Sequence, residues 1–187
     1  MPPKVRITKK NITETALELV RESGEVAINA RNVASALGCS TQPVFSNFAT
    51  VDELKSAVVH AAYELYLDFL KNEAESGKYP KYKSFGMAYI RFAKEERELF
   101  KLLFMCDRMG KAISPPQDFE QSVEMIMAAN EVSRETAELM HLECWAFVHG
   151  IASMIATSFL ELDSELISNM VTDVYMGIRA RHLSEGK

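Results

Sequence analysis

The sequence predicts an all-α protein of about nine helices, and three observations support this fold class. Apolar residues recur every three to four positions along almost the whole chain, which is the spacing of one face of an α-helix. Breaks between these segments are marked by glycine or proline, at Gly24, Gly38, Gly77, Gly110 and Pro115 with Pro116. No stretch alternates β-branched and polar residues as a strand would.

Composition indicates a globular protein with an uneven charge distribution. Hydrophobic residues make up 48% of the 187 residues and charged residues 25%, enough for a core of useful size. The net charge is −5, yet residues 1–55 carry seven Lys/Arg against six Asp/Glu, a net of +1. Residues 56–187 carry fourteen against twenty, a net of −6. A polyanionic partner is therefore expected to contact the N-terminal end.

Targeting and metal-binding signals are not found in the sequence. No apolar run reaches the length that crosses a bilayer, and the charged N-terminus has no apolar segment behind it, so we expect a cytoplasmic protein without a secretory signal. Cys39, Cys106 and Cys144 form no CxxC pair and are interpreted as reduced thiols. The four histidines show no metal-ligand spacing, and no cofactor is expected.

The N-terminal segments predict three short helices followed by a long one. The first runs from about Thr8 to Ser23, with Gly24 as its C-cap. Asn29 is expected to cap a second helix to about Leu37, and Ser40 a third from about Thr41 to Phe48. Pro43 then falls in a first turn, where a missing N–H costs nothing. Residues 50–53, Thr-Val-Asp-Glu, form a capping-box pattern that opens a fourth helix to about Ser76.

Five further helices are predicted in the remainder of the chain. Their approximate ranges are 81–94, 97–109, 118–130, 133–162 and 163–181. Ser133 and Asp163 are expected to cap the last two.

Two short helices joined by a tight glycine-containing turn predict a helix-turn-helix. The third helix leaves a polar face outward, with side chains that hydrogen-bond base edges and phosphates: Thr41, Gln42, Ser46 and Asn47. Because that helix has no Lys or Arg, neutralisation of phosphates must come from other residues, for which the candidates are Lys4, Arg6, Lys9, Lys10 and Arg31. The alternative is that the polar face of the third helix is only solvated, and that the helix-turn-helix shape is ordinary packing in an all-α protein.

The ordered set from Ile12 to Leu54 resembles the DNA-binding domain of the TetR family of transcriptional regulators. The residues that carry the resemblance are Ile12, Ala16, Leu19, Gly24, Arg31, Val33, Ala34, Leu37, Gly38, Ser40, Val44, Phe45, Phe48, Asp52, Glu53 and Leu54. The resemblance implies that Ser40 and Phe45 also lie at the DNA interface. The family usually has Tyr, His and Lys at the positions of Phe45, Asn47 and Val51, where they commonly contact phosphates.

The C-terminal two-thirds resembles the family more loosely. Residues 96–100, Glu-Arg-Glu-Leu-Phe, and 145–150, Trp-Ala-Phe-Val-His-Gly, are similar to motifs of one subgroup of TetR-like ligand-binding domains. The resemblance implies a helix-turn-helix domain over residues 1–50 and an all-α ligand-binding and dimerisation domain over residues 51–187.

Two apolar helices near the C-terminus predict a homodimer, because they can pair with their copies as a four-helix bundle. The predicted interface comprises Ile151, Ile155, Phe159, Ile167, Met170, Val171, Val174 and Ile178. A pocket for a small apolar ligand is expected among aromatic and Met residues: Tyr66, Phe69, Tyr89, Phe92, Phe104, Met105, Met109, Met125, Trp145 and His149. Both sets would equally well fill an intramolecular core.

Three function classes follow from these patterns. The leading interpretation is a homodimeric repressor that binds a palindromic operator in double-stranded DNA and is released by a small apolar ligand. An enzyme is not expected, because the sequence has no nucleophile elbow, phosphate-binding glycine loop or HExxH motif. The third is a helical protein-interaction module that has lost DNA binding, which the residues at positions 45, 47 and 51 keep open.

Overall fold

The computed structural model describes residues 7–106 and 117–185, and these residues form an all-helical structure that confirms the predicted fold class. Nine α-helices lie within the described residues: α1 (Lys9–Ser23), α2 (Ala30–Ala36), α3 (Gln42–Asn47), α4 (Val51–Glu75), α5 (Lys81–Glu95), α6 (Arg97–Phe104), α7 (Gln117–Asn130), α8 (Arg134–Ala156) and α9 (Ser164–Glu185). A 3-10 helix at Glu25–Ala27, between α1 and α2, was not predicted.

The described residues divide into two compact units. The N-terminal unit contains residues 7–67 and 96–106, and the C-terminal unit contains residues 68–95 and 117–185. Helix α4 therefore contributes residues to both units, and α6 belongs to the first although α5 precedes it. The predicted domains at 1–50 and 51–187 were defined by function, so that division stays a prediction.

The N-terminal unit packs α1, α2, α3 and α6 around one apolar core. Helix α1 buries Ile12, Ala16 and Val20, at the i, i+4, i+8 spacing that places side chains on one helix face. Val33 and Val44 are buried from α2 and α3. These short helices would be marginal alone, so their stability comes from this shared core.

The turn between α2 and α3 is closed by a Schellman motif. Gly38 adopts a positive φ of 63°, which side-chain-bearing residues rarely adopt. Its amide donates to the Ser35 carbonyl at 3.1 Å, and the Cys39 amide donates to the Ala34 carbonyl at 2.9 Å. The glycine therefore ends α2 sharply and allows α3 to begin four residues later.

The start of α2 follows the sequence expectation, whereas the start of α3 does not. The Asn29 side chain accepts a hydrogen bond from the Asn32 amide at 2.8 Å, which confirms the predicted N-cap. At α3 the N-cap is Thr41, without a side-chain hydrogen bond, so the prediction that Ser40 caps this helix was wrong. A cap at Ser40 would use the amide of residue 42 or 43, and Pro43 has no N–H, so only the Gln42 amide remains as a partner.

Helix α4 begins with a variant of the predicted capping box. The Thr50 hydroxyl accepts from the Glu53 amide at 3.1 Å, as expected. The Glu53 carboxylate accepts instead from the Ala49 amide at 2.8 Å, one residue before the expected partner. Two backbone donors at this helix start are still satisfied, since Ala49 lies in the turn that leads into α4.

Helix α8 is the centre of the C-terminal unit. It packs against α5, α7 and α9, and its buried residues include Met140, Val148, Ile151 and Ile155. Met140 joins a fully buried cluster with Val123, Ile126 and Ala137. The predicted caps of the last two helices are confirmed, because Ser133 accepts from the Thr136 amide at 3.2 Å and Asp163 from the Leu166 amide at 2.8 Å.

Helix α8 ends at Ala156, six residues before the predicted limit near residue 162. A second Schellman motif ends it, with Ser158 at a positive φ of 57° in the position that glycine usually occupies. The Ser158 amide donates to the Ile155 carbonyl at 3.0 Å and the Phe159 amide to the Met154 carbonyl at 2.9 Å. The predicted end was wrong because serine at this position carries no sequence signal for helix termination.

Helix α8 is also long and apolar enough to cross a membrane, by length and composition alone. The core helix of a soluble protein satisfies the same criterion, and eight of its residues are buried in this structure. One such helix is therefore only weak evidence for a membrane span.

Candidate nucleic-acid interface and C-terminal pocket residues

The geometry of α3 separates an apolar side from a solvent-facing side. Val44 and Phe48 are buried to about 1% exposure in the N-terminal unit. Gln42, Phe45 and Ser46 are exposed, as is the preceding pair of Ser40 and Thr41. Because residues at i, i+3 and i+4 share a helix face, Gln42, Phe45 and Ser46 form one continuous surface.

Two of the predicted DNA-binding side chains already make hydrogen bonds within α3. The Ser46 hydroxyl donates to the Gln42 carbonyl at 2.9 Å, and the Asn47 amide donates to the Pro43 carbonyl at 2.8 Å. Asn47 is also half-buried, in contrast to the exposed Gln42. The amide of Gln42 is therefore the exposed α3 group best placed to offer a donor and an acceptor together.

The predicted basic residues differ in whether they already form ion pairs within the protein. The Lys9 ammonium bonds the Glu53 carboxylate at 3.0 Å and lies 4.7 Å from the centre of the Phe48 ring. Lys10 is exposed, 3.7 Å from Glu14. Arg31 is exposed on α2. Lys4 and Arg6 lie outside the described residues.

A bidentate ion pair in the N-terminal unit was not found from the sequence. The Arg21 guanidinium donates through Nε and Nη2 to both Glu96 carboxylate oxygens, at 2.8 Å each. This pair joins α1 to the residue immediately before α6. The sequence drew attention to Glu96 only as part of the motif at residues 96–100. It did not indicate Arg21 as the partner, because the two residues lie seventy-five positions apart.

The predicted pocket residues do not all come together. In the N-terminal unit, Tyr66 packs edge-on against Phe104 with ring centres 5.1 Å apart, and Met105 is exposed. In the C-terminal unit, Phe69 packs edge-on against Phe92 at 5.2 Å. Met125 is half-buried there, and Met109 lies outside the described residues.

Three predicted pocket residues form a cluster in the C-terminal unit. The Tyr89 hydroxyl bonds His149 Nδ1 at 2.8 Å, and the Trp145 ring stacks on the His149 ring with centres 4.9 Å apart. Burial lowers the pKa of His149, which favours the neutral imidazole. Trp145 remains partly exposed, so the cluster combines a flat aromatic surface with a neutral hydrogen-bonding ring.

A second tyrosine–histidine pair was missed. The Tyr82 hydroxyl bonds His141 Nδ1 at 3.0 Å, and burial raises the pKa of Tyr82. Burial also raises the pKa of Cys144 to about 11. Burial lowers the pKa of His141, so the tyrosine, the thiol and the imidazole are all neutral near pH 7. Among the described residues, no set of three His, Cys, Asp or Glu side chains could hold a metal ion.

The predicted dimer residues are mostly engaged within the protomer. Ile151 and Ile167 are 2% and 4% exposed, and Ile155 and Val171 are also buried. Ile178 packs partly buried against the core cluster, and Met170 and Val174 are half-buried. Phe159, by contrast, is 78% exposed. The exposed apolar residues of this region that were left out of the predicted interface are Leu139, Leu142, Trp145, Leu160, Leu166 and Met176.

The chain is similar to known proteins both in the sequence of its C-terminal part and in its fold. Residues 82–174 match the family described as tetracyclin repressor-like, C-terminal domain. No curated protein sequence matches the chain.

Similar solved structures extend over nearly the whole chain. A TetR-like transcriptional regulator from Rhodococcus sp. RHA1 has a TM-score of 0.67 at 14% identity, over 98% of both chains. A member of the TetR family from Streptomyces coelicolor A3 has a TM-score of 0.62 at 20% identity, over 89% of this chain and 96% of that one. The multidrug binding protein EbrR, complexed with malachite green, has a TM-score of 0.59 at 18% identity, over 92% and 98%. At these identities the likeness shows the fold alone.

Proposed function

Because the chain is a TetR-like protein, with the family's C-terminal domain at residues 82–174 and its fold throughout, we propose that it is a homodimeric transcriptional repressor released from its operator by a small apolar ligand. The observation that carries the proposal is the solvent-facing side of α3, where Gln42 stands exposed on a short helix whose opposite side is buried. A recognition helix in the major groove requires this arrangement.

The electrostatic part of DNA binding is assigned to residues outside α3. Arg31 and Lys10 are exposed in the N-terminal unit, and Lys9 would exchange part of its contact with Glu53 for a phosphate. Lys4 and Arg6 would add two more charges per protomer. Contacts of this kind position a protein on the duplex and carry little sequence information.

A homodimer is proposed because single helix-turn-helix modules usually read two half-sites. The exposed apolar residues Leu142, Phe159, Leu166 and Met176, on α8, on α9 and between them, support a contact with a second copy. Burying them against the same residues of a partner would remove an apolar surface from water in both subunits. In this proposal Phe159 keeps its predicted role, whereas Ile151 and Ile167 act chiefly as protomer core.

The ligand is proposed to be an apolar, flat molecule that contacts Trp145 and His149, while the buried Tyr89 bonds His149. An exposed indole stacked on a neutral imidazole offers an aromatic surface, and the tyrosine hydroxyl fixes the ring orientation. The similar protein EbrR was solved with malachite green, an aromatic dye, which makes that dye a reasonable first probe.

Release from DNA is proposed to follow by population shift. A ligand that binds only the conformation whose two α3 helices do not match the operator spacing lowers DNA affinity by its differential affinity for the two states. Helix α4 contributes residues to both units and is therefore the continuous element through which such a change could pass.

The test begins with sites selected from random double-stranded DNA by the full-length protein. The proposal expects a palindromic consensus, bound by a dimer more tightly than random DNA by about a thousandfold or more. Equal affinity for selected and random DNA would instead support the helical protein-interaction module. Phe45 and Val51 favour that second candidate, since both are exposed and neither can bond a phosphate.

A further inference from the structure

The exposed face of α3 contains one aromatic side chain, Phe45, which can make no hydrogen bond to DNA. Phe45 is 50% exposed, whereas its neighbour Val44 and the C-cap residue Phe48 are buried at about 1%. The ring therefore lies on the solvent side of the helix and is not part of the apolar core of the N-terminal unit.

The surroundings of Phe45 on α3 are polar and uncharged. Gln42 precedes it by three residues and Thr41 by four, so both lie on the same side of the helix. Ser46 and Asn47 direct their donors to carbonyls inside α3, at 2.9 and 2.8 Å. The exposed face thus presents the Gln42 amide, the hydroxyls of Thr41 and Ser46, and one benzyl ring to a partner.

An exposed benzyl ring on a groove-binding helix has few partners in B-DNA. Bases present hydrogen-bonding edges in the major groove, and the apolar group there is the C5-methyl of thymine. A ring that enters the groove beside an amide gains apolar burial only where such a methyl is present. Elsewhere it would desolvate polar base edges without replacing their hydrogen bonds.

Resting on the proposed DNA-binding function, we propose that Phe45 is a specificity-determining residue that reads the C5-methyl group of a thymine in each operator half-site. Gln42, on the same face, supplies the hydrogen-bond readout of a neighbouring base pair. Phe45 therefore contributes sequence preference by apolar contact, at a position where it can make no phosphate contact.

The experiment uses full-length protein and an operator selected from random DNA. Each thymine is replaced in turn by deoxyuridine, which removes the methyl group and leaves the base-pairing edge unchanged. Binding is measured by fluorescence anisotropy for the unchanged protein, Phe45→Ala and Gln42→Ala. Thermal denaturation of each variant checks that the exposed substitutions leave the protein folded.

One thymine per half-site is expected to be sensitive. Removing its methyl should weaken binding of the unchanged protein about fourfold, and about fifteenfold when both half-sites are substituted. Phe45→Ala should bind the methylated and unmethylated operators equally, whereas Gln42→Ala should keep the sensitivity. This pattern isolates the pairwise contact, since each change removes one partner of it.

The outcomes separate this inference from the proposed function. If the protein selects no operator, the proposed function fails. If it selects an operator that contains no thymine, or if no deoxyuridine substitution weakens binding, the protein binds DNA and the inference about Phe45 is overturned. The inference is also overturned if Phe45→Ala retains the same sensitivity to the methyl group as the unchanged protein.

Discussion

The α1–α3 region and the α8–α9 region expose different chemistry. In the first, the apolar residues Ile12, Val33 and Val44 are buried, and the solvent side of α3 is polar apart from Phe45. In the second, large apolar side chains remain exposed although the core is complete, as Leu142 and Phe159 show. This difference is the basis of the two partners proposed above, because a polar face suits nucleic acid and an unburied apolar face suits a second protein surface.

The largest expected effect comes from placing charge on the exposed apolar region. Replacing both Leu142 and Phe159 by Glu should convert a dimer into folded monomers and abolish tight operator binding. Each lost apolar contact is worth about 1.5–3 kcal/mol, and the two-fold axis doubles it. Sedimentation at micromolar concentration measures the assembly. Val26→Glu, at an 86% exposed position of the 3-10 helix, is the matched control and should leave the dimer intact.

A core substitution in the same helix should have a different effect. Ile151 is 2% exposed, so Ile151→Ala should lower the free energy of unfolding by about 2–5 kcal/mol through lost burial and a cavity. The folded fraction should still sediment as a dimer. Chemical denaturation followed by sedimentation checks both statements. A stable monomer would show that Ile151 belongs to the interface that the sequence predicted.

On the polar side, Gln42→Ala should reduce binding to the selected operator by about 1–3 kcal/mol and leave binding to random DNA nearly unchanged. Thermal stability should hardly change, because Gln42 is exposed. Ser35→Ala, an exposed position on α2, is the control and should bind both DNAs as the unchanged protein does. Equal loss on both DNAs would assign Gln42 to phosphate rather than to a base.

Arg31→Ala should weaken binding to operator and random DNA alike. Each phosphate contact contributes about 0.9 to the slope of log affinity against log salt concentration. A dimer has two copies of Arg31, so the slope should flatten by up to about 1.8. Titration at several salt concentrations measures it, and an unchanged slope would remove Arg31 from the interface.

The smallest expected effect is a dependence of stability on pH in the C-terminal unit. Burial lowers the pKa of His141 and of His149 in the folded protein below the usual 6.5. The unfolded chain therefore binds protons first as the pH falls, so stability is full above about pH 6.5 and decreases below it. Melting temperatures at pH 7.5 and 5.5 test this. His149→Asn should reduce the difference, whereas His60→Asn, at an exposed position on α4, should not.

Several features of the fold were predictable because they depend on nearby residues. Asn29, Ser133 and Asp163 bond amides two or three positions away, so cap and helix start stand together in the sequence. Gly38 marks the turn between α2 and α3 because only glycine adopts its positive φ readily. The exposed position of Gln42 follows from the apolar spacing around it. The looser TetR resemblance of the C-terminal part is confirmed by the family match over residues 82–174.

Tertiary packing decided what local order could not. Ile151 and Leu142 are both apolar residues of α8, and α5, α7 and α9 determine that the first is buried and the second exposed. The Arg21–Glu96 ion pair and the two tyrosine–histidine pairs join residues about sixty or more positions apart, with no shared spacing to reveal them. Helix periodicity predicts that an apolar face exists. The neighbouring helices determine which part of that face is covered within the protomer, because burial depends on what lies opposite each side chain.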